Sequence, residues 1–389
     1  MSFHYFIPTR ILFGAGQLKK LHEQELPGKK ALIVISSGRS VRENGYLATL
    51  EDQLRQAKVD YAVFDEILPN PTKDNVMNGA ACAKANGCDF VIGLGGGSSI
   101  DAAKSIALMA VNEGDYWDYI DAGSGKGKAP AKDPLPIVAI TTTAGTGTEA
   151  DPWTVVTKTD TCEKIGWGSD KTFPTLAIVD PELMETVPPR LTAYQGFDAL
   201  FHSTEAYISC KANMMSDMFA RRAIELIGRS LVRAVKDGGD KEARADVALA
   251  NTLSGIVMCV GSTTSEHSLE HALSAFHHEL PHGAGLIMIS KAYYAHFAKA
   301  GVCDEKMVDM ARALGMENAS KPMDFVEQLG KLQEACGVAD LKMSDYGIRQ
   351  EELRKYAVNA KDTMGGLFEA DPCPLSEDDC VAIYEASYR

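Results

Sequence analysis

The sequence predicts a two-domain chain, with an α/β N-terminal domain over residues 1–190 and an all-α C-terminal domain over residues 191–389. In the first half, short apolar runs alternate with helical patterns, which is typical of a doubly wound parallel sheet. A proline-containing segment at 181–190 ends that alternation, and the rest of the chain carries helical periodicity almost alone. We expect a ligand-binding cleft between two such domains.

Each predicted element depends on a local pattern. The segment 31–35 is a continuous apolar run, as in a parallel strand that is covered on both faces. Similar patterns predict strands at 31–35, 59–64, 90–94, 136–140 and 176–179, with a helix at 41–58 and another ending near 85. In the second half, helices are predicted at 191–210, 215–235, 241–260, 266–276, 283–299, 304–314, 322–335, 349–360 and 376–387.

Composition excludes several classes of protein. The chain is 45% hydrophobic and 24% charged, as in a globular protein. Its net charge of -14, without a lysine- or arginine-rich block, argues against nucleic acid or an anionic membrane as partner. The N-terminus lacks the charged and apolar segments of a secretory signal. The nine cysteines are scattered and form no Cys-x-x-Cys pair, so we expect reduced thiols and a cytoplasmic location.

A glycine-rich segment at 93–101 follows the third predicted strand and opens a helix. Glycines let the backbone approach a pyrophosphate, and a helix N-terminus offers free N–H groups to the anion. A plain turn would need only two glycines, so three glycines and two serines favour phosphate binding. The spacing is not Gly-x-Gly-x-x-Gly, so the domain is predicted to be Rossmann-like and nucleotide-binding without the standard fingerprint. The candidate cofactor contacts here are Gly96, Gly97, Ser98, Ser99 and Asp101.

A second loop, 141–148, contains five threonines and two glycines directly after the fourth predicted strand. Hydroxyls and bare backbone at the carboxyl end of a buried strand face the crevice where α/β sheets bind ligands. A solvated turn is the alternative, but it needs fewer hydroxyls. The predicted contacts are Thr142, Thr143, Thr146 and Thr148.

Five of the nine histidines lie within 266–285. His267 and His271 are four residues apart, on one face of a helix. On a straight helix His267 and His282 would be roughly 22 Å apart, so they can share a metal only if the chain turns between them. Pro281 supplies that turn, because it lacks the N–H that a continuing helix needs. We interpret the stretch as half of a metal site.

The other half is predicted just past the domain boundary, where Asp198 and His202 lie four residues apart on a helical face. Alone, such a pair is more often a surface pair. Beside the histidine-rich stretch it indicates a mixed nitrogen and oxygen site for iron(II) or zinc, with positions open for water or substrate. Four glutamates are substitute ligands, although solvated helix charges are the expected role for them: Glu205, Glu266, Glu270 and Glu279.

Together these segments resemble the iron-containing (group III) alcohol dehydrogenases. The resemblance covers nearly the whole chain through motifs in the same order: Gly-Gly-Gly-Ser-Ser-Ile-Asp-Ala-Ala-Lys at 95–104, Thr-Thr-Ala-Gly-Thr-Gly-Thr-Glu at 142–149, Val-Asp-Pro-Glu-Leu at 179–183, Phe-Asp-Ala-Leu-Phe-His-Ser-Thr-Glu-Ala-Tyr at 197–207 and Leu-Pro-His-Gly at 280–283. It implies the dehydroquinate synthase-like fold of this family, a homodimer or larger homo-oligomer, and four metal ligands: Asp198, His202, His267 and His282.

The resemblance also implies contacts with NAD or NADP. Lys164 matches a position near the cofactor ribose, and Asn70 matches one near the adenosine. Ser37 and Gly38 follow the first Rossmann-like strand, where many members carry an aspartate that repels a 2′-phosphate. Because no acid follows that strand here, a 2′-phosphate is admitted, with Arg39 or Arg42 as partner, and NAD is not excluded.

The implied reaction passes hydride between a small primary alcohol or diol, or its aldehyde, and nicotinamide, while the metal polarises the substrate oxygen. His271 is the candidate carrier of the hydroxyl proton. Its alternative role is purely structural, because it could simply fill the helix face beside the metal. His278 is a weaker candidate for the proton carrier. The other functions to weigh are a zinc glycerol dehydrogenase, a dehydroquinate synthase-like lyase and a catalytically silent metal-binding protein. Where the family often has Asn-Pro-Arg, this chain has Asp371 followed by Pro-Cys-Pro, a change without a functional interpretation.

Overall fold

The computed structural model describes residues 3–389. Six parallel strands form the main sheet in the order β1-β8-β5-β4-β2-β3, and two further strands, β6 and β7, form an antiparallel hairpin. The strands are β1 (Arg10–Phe13), β2 (Lys30–Ser36), β3 (Asp60–Ile67), β4 (Phe90–Gly95), β5 (Ile137–Thr141), β6 (Thr154–Lys158), β7 (Glu163–Trp167) and β8 (Leu176–Val179). The predicted parallel α/β domain is therefore confirmed.

Helices cover both faces of this sheet, as its continuous apolar strands require. On β2, Ile33 packs into one core with the second helix, while its neighbour Val34 packs into the opposite core with the third and fourth. The helices are α1 (Ser40–Glu43), α2 (Tyr46–Gln56), α3 (Lys73–Asn86) and α4 (Gly97–Met109). The single helix predicted at 41–58 is wrong, because Gly45 at φ 75° interrupts it and separates α1 from α2.

Three strands were not predicted. β1 pairs only with β8 at the edge of the sheet. The β6–β7 hairpin leaves the sheet and contacts the helical domain through α8 and α12. The hairpin carries Lys164, which lines the cleft. It is therefore part of the site and is not a loop that lies only on the surface.

The second half of the chain is helical, as predicted. Its helices are α5 (Pro189–Ile208), α6 (Met214–Lys236), α7 (Lys241–Val260), α8 (Ser265–Phe276), α9 (His282–Ala300), α10 (Asp304–Ala313), α11 (Met323–Ala335), α12 (Leu353–Phe368) and α13 (Glu377–Ser387). The domain limits at 1–190 and 191–389 stay a prediction. Among residues 3–389 one helix, α7, is long and apolar enough to cross a membrane, but 61% of its most apolar window is buried inside the fold.

Candidate functional site

A cavity of about 370 Å³ lies between the sheet and the helical domain. Both domains line it, so the predicted cleft is present in the structure. Eleven of the predicted site residues contribute to its wall: Asn70, Gly97, Ser98, Asp101, Thr146, Thr148, Lys164, His202, His267, His271 and His282.

Three helices bring the predicted metal ligands together at one end of this cavity. α5 carries Asp198 and His202 one turn apart, and α8 carries His267. The chain then turns at Pro281, and α9 begins with His282 as its first residue. Nε2 of His267 and Nε2 of His282 each lie 3.5 Å from Oδ1 of Asp198. The turn that the sequence predicted thus places residues from separate helices around one point.

His202 lies beside this group. Its ring stacks on the ring of His267 with 4.2 Å between centroids, and its Nδ1 lies 3.5 Å from Oδ1 of Asp198. The donor atoms of Asp198, His267 and His282 all lie within 4.8 Å of one another, whereas His202 does not belong to that set. The structure therefore brings three of the predicted ligands to one point and places the fourth next to them.

Two atoms at the centre of the group show that it suits a cation. Oδ1 of Asp198 and Nε2 of His267 are buried and have no hydrogen-bond partner among residues 3–389. Buried polar atoms without partners are costly, and a metal ion would satisfy both. Burial would raise the pKa of Asp198, but the charges of His202 and His282 outweigh burial and hold this pKa well below its usual value. The carboxylate is therefore ionised, as a ligand must be.

Buried glutamates fix the orientation of two ligand rings. Nδ1 of His267 is hydrogen-bonded to Glu205, and Nδ1 of His282 to Glu270. Nδ1 of His202 lies 3.2 Å from the carbonyl oxygen of Gly145. When Nδ1 donates to such an acceptor, Nε2 keeps its lone pair for a metal.

The expectation of solvated charges was wrong for three glutamates. Glu205, Glu266 and Glu270 are 0% exposed, while Glu279 is exposed as expected. Spacing is the sequence signal for two of them: Glu205 follows His202 by three residues and Glu270 follows His267 by three, so each shares a helix face with a predicted ligand. Each is nevertheless hydrogen-bonded to a ligand on another helix.

His271 lies one turn after His267 on α8, and its ring centroid is 5.3 Å from that of His282. Its Nδ1 lies 2.9 Å from the sulfur of Met364. Burial and the charge of Lys164 hold the pKa of His271 well below its usual value, so the ring is neutral at neutral pH. The side chain therefore reaches the cavity beside the ligand group as a neutral imidazole.

The N-terminus of α4 lies at the other side of the cavity. Its N-cap, Gly96, provides no capping side chain, so the first N–H groups of the helix face the cavity beside Gly97 and Ser98. A Cβ on Gly97 would lie 2.4 Å from the side chain of Thr146, and one on Gly96 would lie 3.0 Å from Thr143. The glycines therefore admit the threonine loop against the helix start and leave its N–H groups free for an anion.

Several predicted cofactor contacts lie off the cavity wall, among them three that follow β4 and β5. Ser99 is 1% exposed beneath Gly95, and Thr142 is bonded through its N–H to the carbonyl of Gly95 at 2.9 Å. Thr143 packs against Gly96. A cofactor contact by any of them stays a prediction.

A buried lysine that the sequence analysis did not single out holds the two loops together. Lys104 on α4 is 0% exposed, and its ammonium donates to Thr148 Oγ1 at 2.7 Å and to Asp151 Oδ1 at 3.1 Å. Both carboxylate oxygens of Asp101 are also engaged, by Thr148 Oγ1 at 2.7 Å and by the N–H of Val155 at 2.9 Å. The side chain of Asp101 thus fixes the threonine loop and the β6 strand to α4.

Lys164 connects the cofactor side of the cavity with the ligand group. Its ammonium donates to Ser274 Oγ at 2.9 Å and lies 3.5 Å from Oε2 of Glu270, the carboxylate that contacts His282. Asn70 donates its side-chain amide to the carbonyl of His278 at 3.1 Å, across the cleft. His277, next to it, bonds Tyr356 and lies away from the ligands.

The predicted adenosine end follows β2. Ser37 and Gly38 are exposed there, and Ser37 Oγ donates to the carbonyl of Ile67 at 3.3 Å. Arg42 pairs with Asp65 at 2.6 Å, whereas Arg39 forms no ion pair within residues 3–389. Among aromatic residues, Trp153 lines the cavity, whereas Trp167 and Phe201 are buried in the two domain cores.

A helix N-terminus for a pyrophosphate and a mixed carboxylate and imidazole cluster, facing each other across one cavity, define the class of metal-dependent, dinucleotide-linked enzymes. Comparisons with known proteins place the chain within that class. The profile of the family described as iron-containing alcohol dehydrogenase matches residues 8–181, and that of the Fe-containing alcohol dehydrogenase family, C-terminal, matches residues 192–388. The chain belongs to the iron-containing alcohol dehydrogenase family.

Individual relatives agree with this assignment. Alcohol dehydrogenase 4 of Saccharomyces cerevisiae is 31% identical over 99% of this chain and 98% of its own length. The 1,3-propanediol dehydrogenase of Klebsiella pneumoniae is 33% identical over 99% of both chains. The crystal structure of an archaeal halo-thermophilic alcohol dehydrogenase from a Red Sea brine pool superposes with a TM-score of 0.94 at 33% identity, covering 100% of this chain and 99% of that one. The predicted family, fold class and alcohol oxidoreductase activity are confirmed.

Proposed function

We propose that this chain is a metal-dependent, NAD(P)-linked alcohol dehydrogenase and aldehyde reductase that acts on small primary alcohols or diols. One observation carries the proposal: the unpartnered Oδ1 of Asp198 and Nε2 of His267 lie 3.5 Å apart, and His267 lines the same cavity as the start of α4. Relatives named as 1,3-propanediol dehydrogenase and NAD-dependent methanol dehydrogenase support small alcohols as the substrate class.

Iron(II) or zinc would be held by Asp198, His202, His267 and His282. When bound, the ion supplies Lewis-acid polarisation of the substrate oxygen. Glu205 and Glu270 orient the imidazoles by accepting hydrogen bonds from their Nδ1 atoms. Because both carboxylates are fully buried, the rings keep this orientation before any ligand arrives.

The residues on the opposite wall would bind the dinucleotide. The N–H groups at Gly97 and Ser98 would bind the pyrophosphate, Thr146 and Thr148 would line the nicotinamide side, and Lys164 would contact a ribose. Gly96, Ser99, Asp101, Thr142 and Thr143 support this wall, while Ser37, Gly38 and Asn70 lie toward the adenosine. With no acid after β2 and Arg39 unpaired, the site accepts either NAD or NADP.

The ligand group and the opposite wall would hold the substrate between them, and a bound nicotinamide would supply hydride exchange with the carbinol carbon. His271, a neutral imidazole beside His282, accepts the hydroxyl proton during oxidation and returns it during reduction. No side chain forms a covalent bond with the substrate.

In the cell we propose a cytoplasmic homodimer. Nine free cysteines, several of them half-buried, support a reducing compartment. β1 ends the sheet with an unpaired edge, and Tyr5, Phe6 and Met218 expose apolar surface near the N-terminal segment. A second copy that covers this edge would both shield the unpaired strand and bury the exposed apolar side chains. Light scattering at micromolar protein concentration measures the molar mass and so tests the homodimer. The mass of a monomer would contradict this proposal.

Asp198→Asn tests the assignment of function. It keeps the shape of the side chain but removes the ionised oxygen, so metal content and turnover should fall together. Asp345→Asn, at an exposed position, is the matched control. Metal analysis of anaerobically purified protein is paired with NAD- and NADP-linked rates on ethanol, 1-butanol and 1,3-propanediol. Full metal content and full rates in Asp198→Asn would refute the assignment.

A further inference from the structure

We propose that the cavity recognises an anionic group at the far end of its substrate, with Lys211 as the specificity-determining residue. The preferred substrates are then short primary alcohols or aldehydes that carry a carboxylate or similar anion at the other end of the chain. The proposal rests on the proposed function, because it names the substrate class of that same site.

Lys211 lies in the connection between α5 and α6 and lines the cavity from the helical domain. Its backbone is fixed: its N–H donates to Ser209 Oγ at 3.1 Å, and the N–H of Cys210 donates to the carbonyl of Ala370 at 2.9 Å. The side chain itself is exposed, and no carboxylate of residues 3–389 forms an ion pair with it. Lys211 therefore contributes to the cavity wall from a fixed backbone, and its ammonium has no ion-pair partner among residues 3–389.

Two hydroxyl groups accompany this ammonium. Ser262 and Thr263, in the connection between α7 and α8, line the same cavity and are half-buried. Within the described part of the chain, neither hydroxyl has a hydrogen-bond partner. One ammonium and two hydroxyl donors match the several acceptor positions of a carboxylate, and a charged partner makes such hydrogen bonds stronger.

The remaining wall of the helical domain is mainly apolar. Met258, Met364 and Leu367 line it, and α12 departs from helical geometry at Met364 (φ −133°, ψ 41°), where Gly366 joins the wall. The cavity wall thus combines metal ligands, apolar surface and a cation without an ion-pair partner, accompanied by hydroxyls. This combination matches the three parts of a substrate with a hydroxyl or aldehyde, a short carbon chain and a terminal anion.

The dinucleotide phosphates do not account for Lys211. The N-terminus of α4 already offers free N–H groups for them, and it belongs to the other domain. Lys211 follows the helix that carries Asp198 and His202, which associates it with the substrate end of the cavity. In a chain of net charge -14, an unpaired cation in a cleft also favours entry of an anionic substrate.

The test compares 1-butanol with 4-hydroxybutanoate, which has the same number of carbons and a terminal carboxylate. In the parent enzyme, kcat/KM should be higher for 4-hydroxybutanoate. Lys211→Met should lower that value about tenfold to a hundredfold, in line with loss of one charge-assisted hydrogen bond. The rate with 1-butanol should stay within about twofold, Lys211→Arg should keep most of the preference, and the exposed Lys299→Met is the matched control.

Calorimetric titration of 4-hydroxybutanoate into the purified protein without dinucleotide separates this inference from the proposed function. Binding that weakens only in Lys211→Met supports the anion site even if neither compound is turned over, an outcome that would refute the proposed dehydrogenase. The inference is overturned if the parent enzyme shows no preference for 4-hydroxybutanoate. An equal loss for both substrates, or a weakened affinity for NAD(P) in Lys211→Met, would also overturn it.

Discussion

Replacing Glu270 by glutamine tests whether the buried carboxylate sets the affinity of the metal site. Its carboxylate contacts Nδ1 of His282 and lies 3.5 Å from the ammonium of Lys164. Glutamine keeps the volume, which matters because Gly285 packs so closely that a Cβ there would lie 2.7 Å from Cγ of Glu270. The substitution therefore removes charge while leaving the packing intact.

The magnitude follows from the contacts that are lost. A hydrogen bond to a charged group contributes about 1.5–3 kcal/mol, and about 1.4 kcal/mol corresponds to a tenfold change in affinity. The dissociation constant of the metal should therefore rise about tenfold to a hundredfold, as for other partners of ligand histidines. Lys164 is 5% exposed and would keep only Ser274 as a close partner, so affinity for the dinucleotide should fall as well.

Competition with a chromophoric chelator measures the dissociation constant of the metal. Nicotinamide fluorescence measures dinucleotide binding. Glu279→Gln is the control, because Glu279 is an exposed glutamate nine residues further along the same stretch. Circular dichroism checks that the helices remain. The role given to this carboxylate would be refuted if the folded Glu270→Gln protein had a dissociation constant for the metal within about twofold of the parent value.

Three further predictions concern other parts of the chain. His271→Ala should lower turnover about a hundredfold with metal content intact; rates that stay unchanged over the whole pH range would contradict the proton-carrier role. Burial raises the pKa of Asp371 to about 7, so its contribution to stability is complete at acid pH and is lost as the pH rises through that value. Asp371→Asn should therefore gain thermal stability relative to the parent from about pH 5 to about pH 8, as scanning fluorimetry would show; equal melting temperatures at every pH would contradict it. Lys104→Met should lower the free energy of unfolding by about 3–5 kcal/mol, because it leaves the buried carboxylates of Asp151 and Asp101 without their cation; urea denaturation measures this, and a loss below about 1 kcal/mol would contradict it.

Much of the fold could be predicted because local patterns decide it. The helix predicted at 241–260 is confirmed as α7, with Asp240 as its capping residue. The strands 31–35 and 90–94 are confirmed within two residues, because both are apolar runs buried on two faces. The ligand residues were found for a related reason: i and i+4 spacing fixes which side chains share a face, whatever the rest of the chain does.

The parts that could not be predicted depend on distant partners. Lys104 follows a glycine-rich segment on a helix, where a lysine normally faces solvent, and its hydrogen-bond partners are 44 to 49 residues away. The β6–β7 hairpin is short and only partly apolar, so its sequence has only a weak alternation of apolar and polar residues. Its burial depends on helices that the local sequence does not reveal. Glu205 and Glu270 looked like helix surface charges because burial of a glutamate depends on the histidine that it meets, 62 residues away for Glu205 and 12 for Glu270.

The position of β1 at the edge of the sheet has a consequence for synthesis of the chain. β1 pairs only with β8, and the carboxylate of Asp180 accepts the N–H of Gly16 at 3.0 Å across a sequence separation of 164 residues. At about 5–20 residues per second, the ribosome needs roughly ten to thirty seconds between these two segments. During that time Tyr5, Phe6 and the first strand have no partner in the nascent chain. The N-terminal domain can therefore complete its sheet only when its last strand emerges, and until then its first strand stays unpaired.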